Sequence, residues 1–408
     1  MKPYILLLFL TFSSLPQTGF SKDSTSTVET KNTRTFTVPK LTPKAYASLL
    51  TIGPGNEIYQ IFGHTAIRIV DSTYGWDLVY NYGAFDFAEP NFALKFVRGK
   101  LMYFLWVDEY SSIQQQYIDE NRWIKEQKLE LDPVRLQELF ELLTMNAREE
   151  YKYYQYDFLQ NNCSTKPRDI IIHVVGEGIK YQPNKDDNST YRELIDRYVK
   201  NEWLDFGIDL LLGARVDRKA GFGRTFLPIE LMELFDGATK GKSKLINGNE
   251  TILDKVPDTI SYSWLTPGLI FWGLFFIVLF LQLKRKTLQN WKVFPAIYFT
   301  LLGLIGWILV FMWFFTDHTA TKMNLNILWA MPLNLPLAFF VFKDPIPAWF
   351  RVYLKAYRIL LIVLLIGWWA NPQQYHKAVI PLILTGIILT SRFLPIPTTK
   401  EFKSRWFG

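Results

Sequence analysis

Apolar and polar positions change rhythm three times along the chain. Behind Lys2, residues Tyr4–Leu10 form a short apolar run, and Gly19-Phe20-Ser21 has the small-x-small spacing of a secretory cleavage site. Residues 1–21 therefore read as a signal peptide, and residues 22–38, rich in Ser, Thr and Lys, as a flexible tether. From 39 to 260, alternating runs are mixed with amphipathic helical spacing, which predicts an α+β domain. His64–Val70, Leu78–Tyr82 and Trp123–Leu131 alternate as strands. Asp132-Pro133 starts a helix, with Asp132 as cap and Leu136, Leu139, Phe140 and Leu143 as its apolar stripe. Tyr151–Leu159 reads as strand or loop, and Lys166–Val175 as a helix ending near Gly176 and Gly178. From 264 to 396 the rhythm disappears into five apolar stretches: Leu265–Leu283, Val293–Phe315, Leu325–Phe342, Tyr353–Ala370 and Ala378–Pro395. Each is about long enough to cross a bilayer core of roughly 30 Å. The third is interrupted by Asn326, Pro332, Asn334 and Pro336. Residues 397–408 form a tail.

Charge turns this pattern into a topology. The chain carries 45 Lys+Arg and 38 Asp+Glu, a net +7. A basic excess alone suggests an acidic partner such as nucleic acid. Its location changes that reading: residues from 264 onward hold 14 basic and 3 acidic groups, while the first 263 hold 31 and 35. Within the apolar part, one set of connections carries Lys284, Arg285, Lys286 and Lys292, then Lys343, Arg351, Lys355 and Arg358, then Arg392, Lys400, Lys403 and Arg405. The other set carries Lys322 and Lys377. The positive-inside rule puts the first set in the cytoplasm and the α+β domain outside. The signal peptide points the same way. A multi-pass inner-membrane protein with an external domain follows, and nucleic acid is excluded as a partner.

With one cysteine, Cys163, the chain forms no internal disulfide and no cysteine zinc cage. Four histidines are present: His64, His173, His318 and His376. A cysteine nucleophile needs a base, and His64, at the start of a strand, is the best placed. Cys163 lies 99 residues later at an expected helix N-terminus, where free N–H groups lower a thiol pKa and hold an oxyanion. By spacing alone, a buried inert cysteine and an unrelated histidine is the commoner arrangement. The polar wording around the thiol, Asn161-Asn162-Cys163-Ser164-Thr165-Lys166-Pro167-Arg168-Asp169, favours chemistry.

Three motifs carry a resemblance: Phe62-Gly63-His64-Thr65-Ala66-Ile67-Arg68, Tyr80-Asn81-Tyr82-Gly83-Ala84-Phe85-Asp86-Phe87, and Asn162-Cys163-Ser164-Thr165-Lys166-Pro167-Arg168-Asp169. Together they resemble the periplasmic domain of the Lnb-type lipoprotein N-acyltransferases of Bacteroidetes, and the likeness extends over the helical C-terminal part. The resemblance implies a circularly permuted papain-like (NlpC-like) domain, in which the histidine precedes the cysteine. The family pattern has Asp two residues before the cysteine and Arg three after; here these are Asn161 and Lys166.

The implied reaction moves an acyl chain from a membrane phospholipid to the Cys163 thiol, then to the α-amine of a lipoprotein's diacylglyceryl-cysteine. His64 acts as the base. The Cys163 N–H, with Asn161 or Asn162, would hold the oxyanion. Asn81 and Tyr82 would orient His64, or only bond within their strand. Arg68 and Arg168 are candidate phosphate ligands, each with an ion pair as the plainer role. Asp317, His318, Asn324 and Asn326 lie in or beside an outer loop, where a headgroup role competes with helix capping. Trp203–Gly213 reads as a core helix or an interfacial one, His173 as structural, and His376 as a solvated loop residue. The chemistry needs no metal and no cofactor. A membrane-anchored peptidase or amidase acting on peptidoglycan, and a non-enzymatic envelope scaffold, are the alternatives. Five spans are more than a wall hydrolase needs, and the paired His64 and Cys163 motifs argue against a scaffold.

Overall fold

The computed structural model describes residues 38–182, 188–199, 202–255, 264–284 and 292–393. The expected signal peptide, nearly all of the tether, the tail, and Arg285, Lys286, Lys400, Lys403 and Arg405 lie outside the described residues.

In chain order the first domain runs β1 (Ala45–Ile52), β2 (His64–Asp71), β3 (Trp76–Ala84), α1 (Phe92–Val97), β4 (Met102–Glu109), α2 (Tyr110–Asp119), β5 (Ile124–Leu129), α3 (Pro133–Asn146), β6 (Tyr153–Gln155), α4 (Thr165–Val175), β7 (Ile179–Lys180), α5 (Tyr191–Asp196), α6 (Glu202–Leu211), α7 (Pro228–Asp236), β8 (Thr239–Lys240), β9 (Ser243–Lys244) and β10 (Ile246–Leu253). Among the described residues, seven strands pair in the order β10-β5-β1-β2-β3-β4-β6, and β7-β8-β9 form a smaller sheet. All pairings in the larger sheet are antiparallel.

Strand alternation sends neighbouring side chains to opposite faces. Leu50, Ile52, Ala66, Val79 and Ile124 meet Tyr110, Ile113 and Tyr117 of α2. The opposite face carries Tyr82, whose hydroxyl accepts from Asn146 of α3 at 2.9 Å. The α3 start is as expected: Asp132 accepts the N–H groups of Val134 and Arg135, Pro133 opens the helix, and Leu136, Leu139, Phe140 and Leu143 are buried.

The apolar part comprises α8 (Pro267–Leu283), α9 (Val293–Phe314), α10 (Asn334–Leu337), α11 (Ala348–Ile366) and α12 (Val379–Arg392). Among the described residues, α9 is the helix long and apolar enough to cross a membrane. Its 22 residues rise about 33 Å. The shorter α8 and α12 have 17 and 14 residues. The third expected span is not a continuous helix. It breaks into 3-10 turns at Leu325–Leu328 and Ala338–Phe342 around the single turn of α10. Pro332 and Pro336 remove backbone donors there. The broken backbone lies directly on α9. A β-carbon on Gly303 would sit 2.2 Å from the Leu335 nitrogen, and one on Gly306 2.1 Å from the Ala330 oxygen. Small residues let the two backbones meet. The freed carbonyl of Trp329 receives the Tyr357 hydroxyl at 2.5 Å, which an apolar setting requires.

Three connections of this part touch the first domain. Trp203 donates to the Leu265 carbonyl ahead of α8, Asp317 to the Arg98 carbonyl after α9, and Gln374 to the Asp217 carboxylate between α11 and α12. Helix α6, which holds most of Trp203–Gly213, joins two cores: Leu204 and Ile208 pack against the first-domain cluster of Tyr191, Leu194 and Phe226, which also takes in Leu212. Phe206 is buried with Val278, Tyr298 and Phe299, and Leu210 and Leu211 pack against that cluster.

Candidate active site

Gly83 is where Cys163 meets the sheet. Its φ of +97° is one L side chains rarely adopt, and a β-carbon there would stand 3.2 Å from the Cys163 β-carbon. A bulge in the β3–β4 ladder falls at this point, between Tyr82 and Ala84. The Cys163 sulfur receives the backbone N–H of Thr65, the residue after His64, and its own N–H. β2 pairs with β3 from Asp71 opposite Trp76 to Ile67 opposite Tyr80, so His64 and Asn81 lie at the same end of the two strands. His64 Nε2 lies 3.3 Å from Asn81 Oδ1. Cysteine, histidine and asparagine thus gather at one end of three neighbouring strands.

Burial governs their protonation. It pulls His64 down to about 4, helped by the charge of Arg122 and opposed by the Asn81 bond. It pushes the Cys163 thiol up to about 11, against the two N–H groups and Arg122. The expectation of a lowered thiol pKa is reversed, because desolvation outweighs the Thr65 and Cys163 N–H groups and Arg122. At neutral pH the pair rests as thiol and neutral imidazole. That suits base catalysis at the moment of attack, not a stored thiolate.

Arg122 is the residue the sequence reading missed. It is nearly fully buried, donates to the Gly53 carbonyl at 2.8 Å and to Glu120 at 2.9 Å, and lies over the Tyr117 ring. Gly53 follows Ile52, which pairs directly with His64. Nothing local in the sequence marks Arg122, since its partners come from β1 and α2.

Asn162 caps α4. Its Oδ1 accepts from Ser164 and Thr165 at 2.8 and 2.9 Å, and its Nδ2 donates to the Phe158 and Phe226 carbonyls at 2.8 Å. With its hydrogen bonds used this way, it holds the turn and has no capacity left for an oxyanion. Asn161 donates to the Gln155 carbonyl at 2.6 Å and pairs its backbone with Asp157. Tyr82 is bonded to Asn146, not to His64, and burial pushes its hydroxyl up to about 12.

The two arginines are engaged elsewhere. Arg68 makes a two-pronged bond to Asp77 at 2.7 Å, reaches Glu126 at 3.2 Å and lies 3.5 Å over Tyr110. Arg168 bonds Asp169 at 2.7 Å and Thr225 at 2.8 Å. Both serve packing rather than an open phosphate site.

The outer-loop residues join the two parts of the chain. His318 Nε2 lies 3.0 and 3.1 Å from the Phe96 and Val97 carbonyls, and Gln155 donates to Asp317 at 3.2 Å. Thr319 donates to Asp157 at 2.6 Å, and the other Asp157 oxygen accepts from Leu159 and Gln160. The membrane loop therefore grips the turn that leads into Cys163. Asn324 and Asn326 are buried and donate to the carbonyls of Asp209, Leu210 and Leu211 at the end of α6. They cap that helix and do not face a headgroup.

A separate cavity of about 480 Å³ is lined by Arg192, Asp196, Asp205, Asp209, Trp272 and His376, among others. One oxygen from each of the three aspartates comes within 4.8 Å of the others, a spacing that could hold a cation. Arg192 already pairs with Asp209 at 2.6 Å and His376 with Asp205 at 3.4 Å. His376 is thus half-buried and partnered, not a solvated loop residue. His173 is exposed on α4.

No curated protein and no solved structure matches the chain. Two family models do: the Lnb N-terminal periplasmic domain over residues 36–197, and the Lnb transmembrane domain over residues 259–400. The first spans His64, Asn81, Gly83 and Cys163, and the second spans α8 to α12. The chain therefore belongs to the Lnb family and is a membrane protein with a periplasmic N-terminal domain.

Proposed function

We propose that this chain is an inner-membrane lipoprotein N-acyltransferase working through a Cys163 thioester. The observation that carries the reading is the meeting of Cys163 with Gly83 and the Thr65 N–H, one residue from His64, in a domain bonded directly to its membrane part. The order of His64 on a strand before Cys163 at a helix start fits a permuted papain-like arrangement. The half-buried, uncharged pair suits an apolar donor. His64 takes the thiol proton as Cys163 Sγ bonds the acyl carbonyl carbon of a phospholipid. The ester C–O bond breaks, and the departing alkoxide recovers that proton, leaving a lysophospholipid. The neutral α-amine of a diacylglyceryl-cysteine then attacks the thioester. The C–N bond forms, the C–S bond breaks, and His64 passes the amine proton to the sulfur. The Cys163 N–H turns from the sulfur to the developing oxyanion as the acyl carbon is attacked. A dry, membrane-side setting favours aminolysis over hydrolysis.

The test is expression in cells depleted of their own apolipoprotein N-acyltransferase, with mass spectrometry of a lipoprotein N-terminus. The expected result is an N-linked acyl chain with the wild type and none with Cys163→Ala. Absence of the chain with wild type overturns the activity; its presence with Cys163→Ala overturns the nucleophile. Cleavage of peptidoglycan peptides by the full chain would favour a peptidase instead.

A further inference from the structure

Beside Cys163 lies an aromatic surface that the mechanism above does not use. Two residues past Gly83, Phe85 packs edge-on against Phe87 and Tyr103 and tilted against Phe92, at ring distances of 4.9, 5.3 and 5.9 Å. Tyr103 continues inward to Tyr156 at 4.3 Å, and a Cys163 thiolate would raise the hydroxyl pKa of both tyrosines. Outward, the surface ends in exposed apolar groups: Phe87 is 66% exposed, Leu94 56% and Phe96 51%. None of the α1 residues is buried. A contiguous apolar patch of this kind marks a contact surface.

What covers it follows from where α1 is tied. The Phe96, Val97 and Arg98 carbonyls bond His318 and Asp317, four and three residues past the end of α9. α9 is the membrane-length helix, and its exit residues Phe314 and Phe315 are themselves 62% and 64% exposed. The patch is therefore continuous with the membrane-facing surface at the periplasmic end of α9. Arg98 and Lys100, both exposed, flank it with positive charge. Aromatic rings beside basic groups suit the headgroup boundary of a bilayer.

We infer that the face formed by Phe87, Leu94 and Phe96 is seated in the periplasmic leaflet, and that an acyl chain enters along Phe85 and Tyr103 toward Cys163. The first half stands on geometry alone; the second rests on the phospholipid-donor reading.

The single native cysteine makes the test direct. In full-length Cys163→Ala protein reconstituted in phosphatidylethanolamine and phosphatidylglycerol nanodiscs, Leu94→Cys and Val134→Cys are labelled with an environment-sensitive fluorophore. Val134 lies on α3 and is 78% exposed. A label at 94 is expected to shift blue and to be quenched by shallow spin-labelled phospholipid, while one at 134 is not. Equal quenching at the two positions overturns the seating. In chain that retains Cys163, Leu94→Asp is expected to lower transfer from vesicle phospholipid at least tenfold while Leu94→Trp preserves it. Wild-type transfer by Leu94→Asp overturns the acyl path. No transfer by the unmutated chain overturns the donor reading, and with it the path, while the quenching result still decides the seating.

Discussion

Cys163 rests where Gly83 has no side chain, 3.2 Å from where a Gly83 β-carbon would stand. Two physical demands coincide at Gly83: a left-handed backbone and room for the residue read as nucleophile. Gly83→Ala meets neither. The backbone strain costs about 1–3 kcal/mol, and the methyl displaces Cys163 from the Thr65 N–H. A misplacement of about 1 Å is enough to slow transfer by roughly 10²-fold. The expected outcome is a folded variant, judged by circular dichroism, whose N-acylation is lost or nearly so. Wild-type transfer by Gly83→Ala would show that the close approach does not position the thiol.

The protonation of the pair makes a second prediction. Burial holds the thiol near 11 and the imidazole near 4, so neither is charged at pH 7. Alkylation of resting Cys163 by iodoacetamide is expected to be slow at pH 7 and to climb toward pH 11. Thioester formation needs only neutral His64, so release of lysophospholipid should rise through about pH 4 and stay level to neutrality, whereas full transfer also needs the neutral α-amine and keeps rising toward its pKa of about 8. His64→Ala should leave alkylation at pH 7 almost unchanged while lowering transfer about 10²- to 10⁴-fold. A thiolate–imidazolium pair would behave oppositely, with alkylation already on a plateau near neutral pH and lost in His64→Ala.

Arg122 lowers both pKa values, by favouring thiolate and disfavouring imidazolium. Arg122→Gln removes one charge from both. The acid limb of the pH–rate profile should then move to higher pH, and the midpoint of Cys163 alkylation should move up as well. Loosened packing would act differently: solvent entering the site would raise the His64 value but lower the thiol toward its ordinary range. Opposite movements of the two midpoints would therefore assign Arg122 a packing role alone.

The sequence was most legible where cause and effect are close together. Asp132 caps α3 because the N–H groups it accepts are two and three residues away. His64 starts β2 because alternation over the following seven residues defines the strand. Asn324 and Asn326 looked available for a headgroup because their partners are carbonyls more than a hundred residues earlier, at the end of α6. The same distance hid the double place of α6, whose Phe206 serves the membrane core while Leu204 and Ile208 pack on the first domain. Composition showed the apolar content of Leu325–Phe342, but not that Gly303 and Gly306 open α9 to a broken backbone. At the candidate site, His64 and Cys163 were visible as residue types and motifs. The sign of the thiol shift was not, because burial is a tertiary property.

Asp196 provides a test of the cavity apart from the candidate active site. Burial, then the neighbouring Asp209 and Asp205, raise its carboxyl to about 7, with Arg192 opposing and Asp217 adding to the rise. In the unfolded chain the same carboxyl titrates near 3.9. Between these values the folded protein holds a proton that the unfolded chain has released. The contribution of Asp196 to stability is therefore fully present below about pH 4, falls as pH rises, and is lost above about pH 7. Asn at this position mimics the protonated form at every pH. The melting temperature of Asp196→Asn in detergent should match the wild type near pH 4 and exceed it by a growing margin up to about pH 8. His376 pairs with Asp205, but it is present in both proteins and cancels in the difference. A margin that does not change with pH would mean that Asp196 is ionised in the folded protein and that its neighbours neutralise it fully.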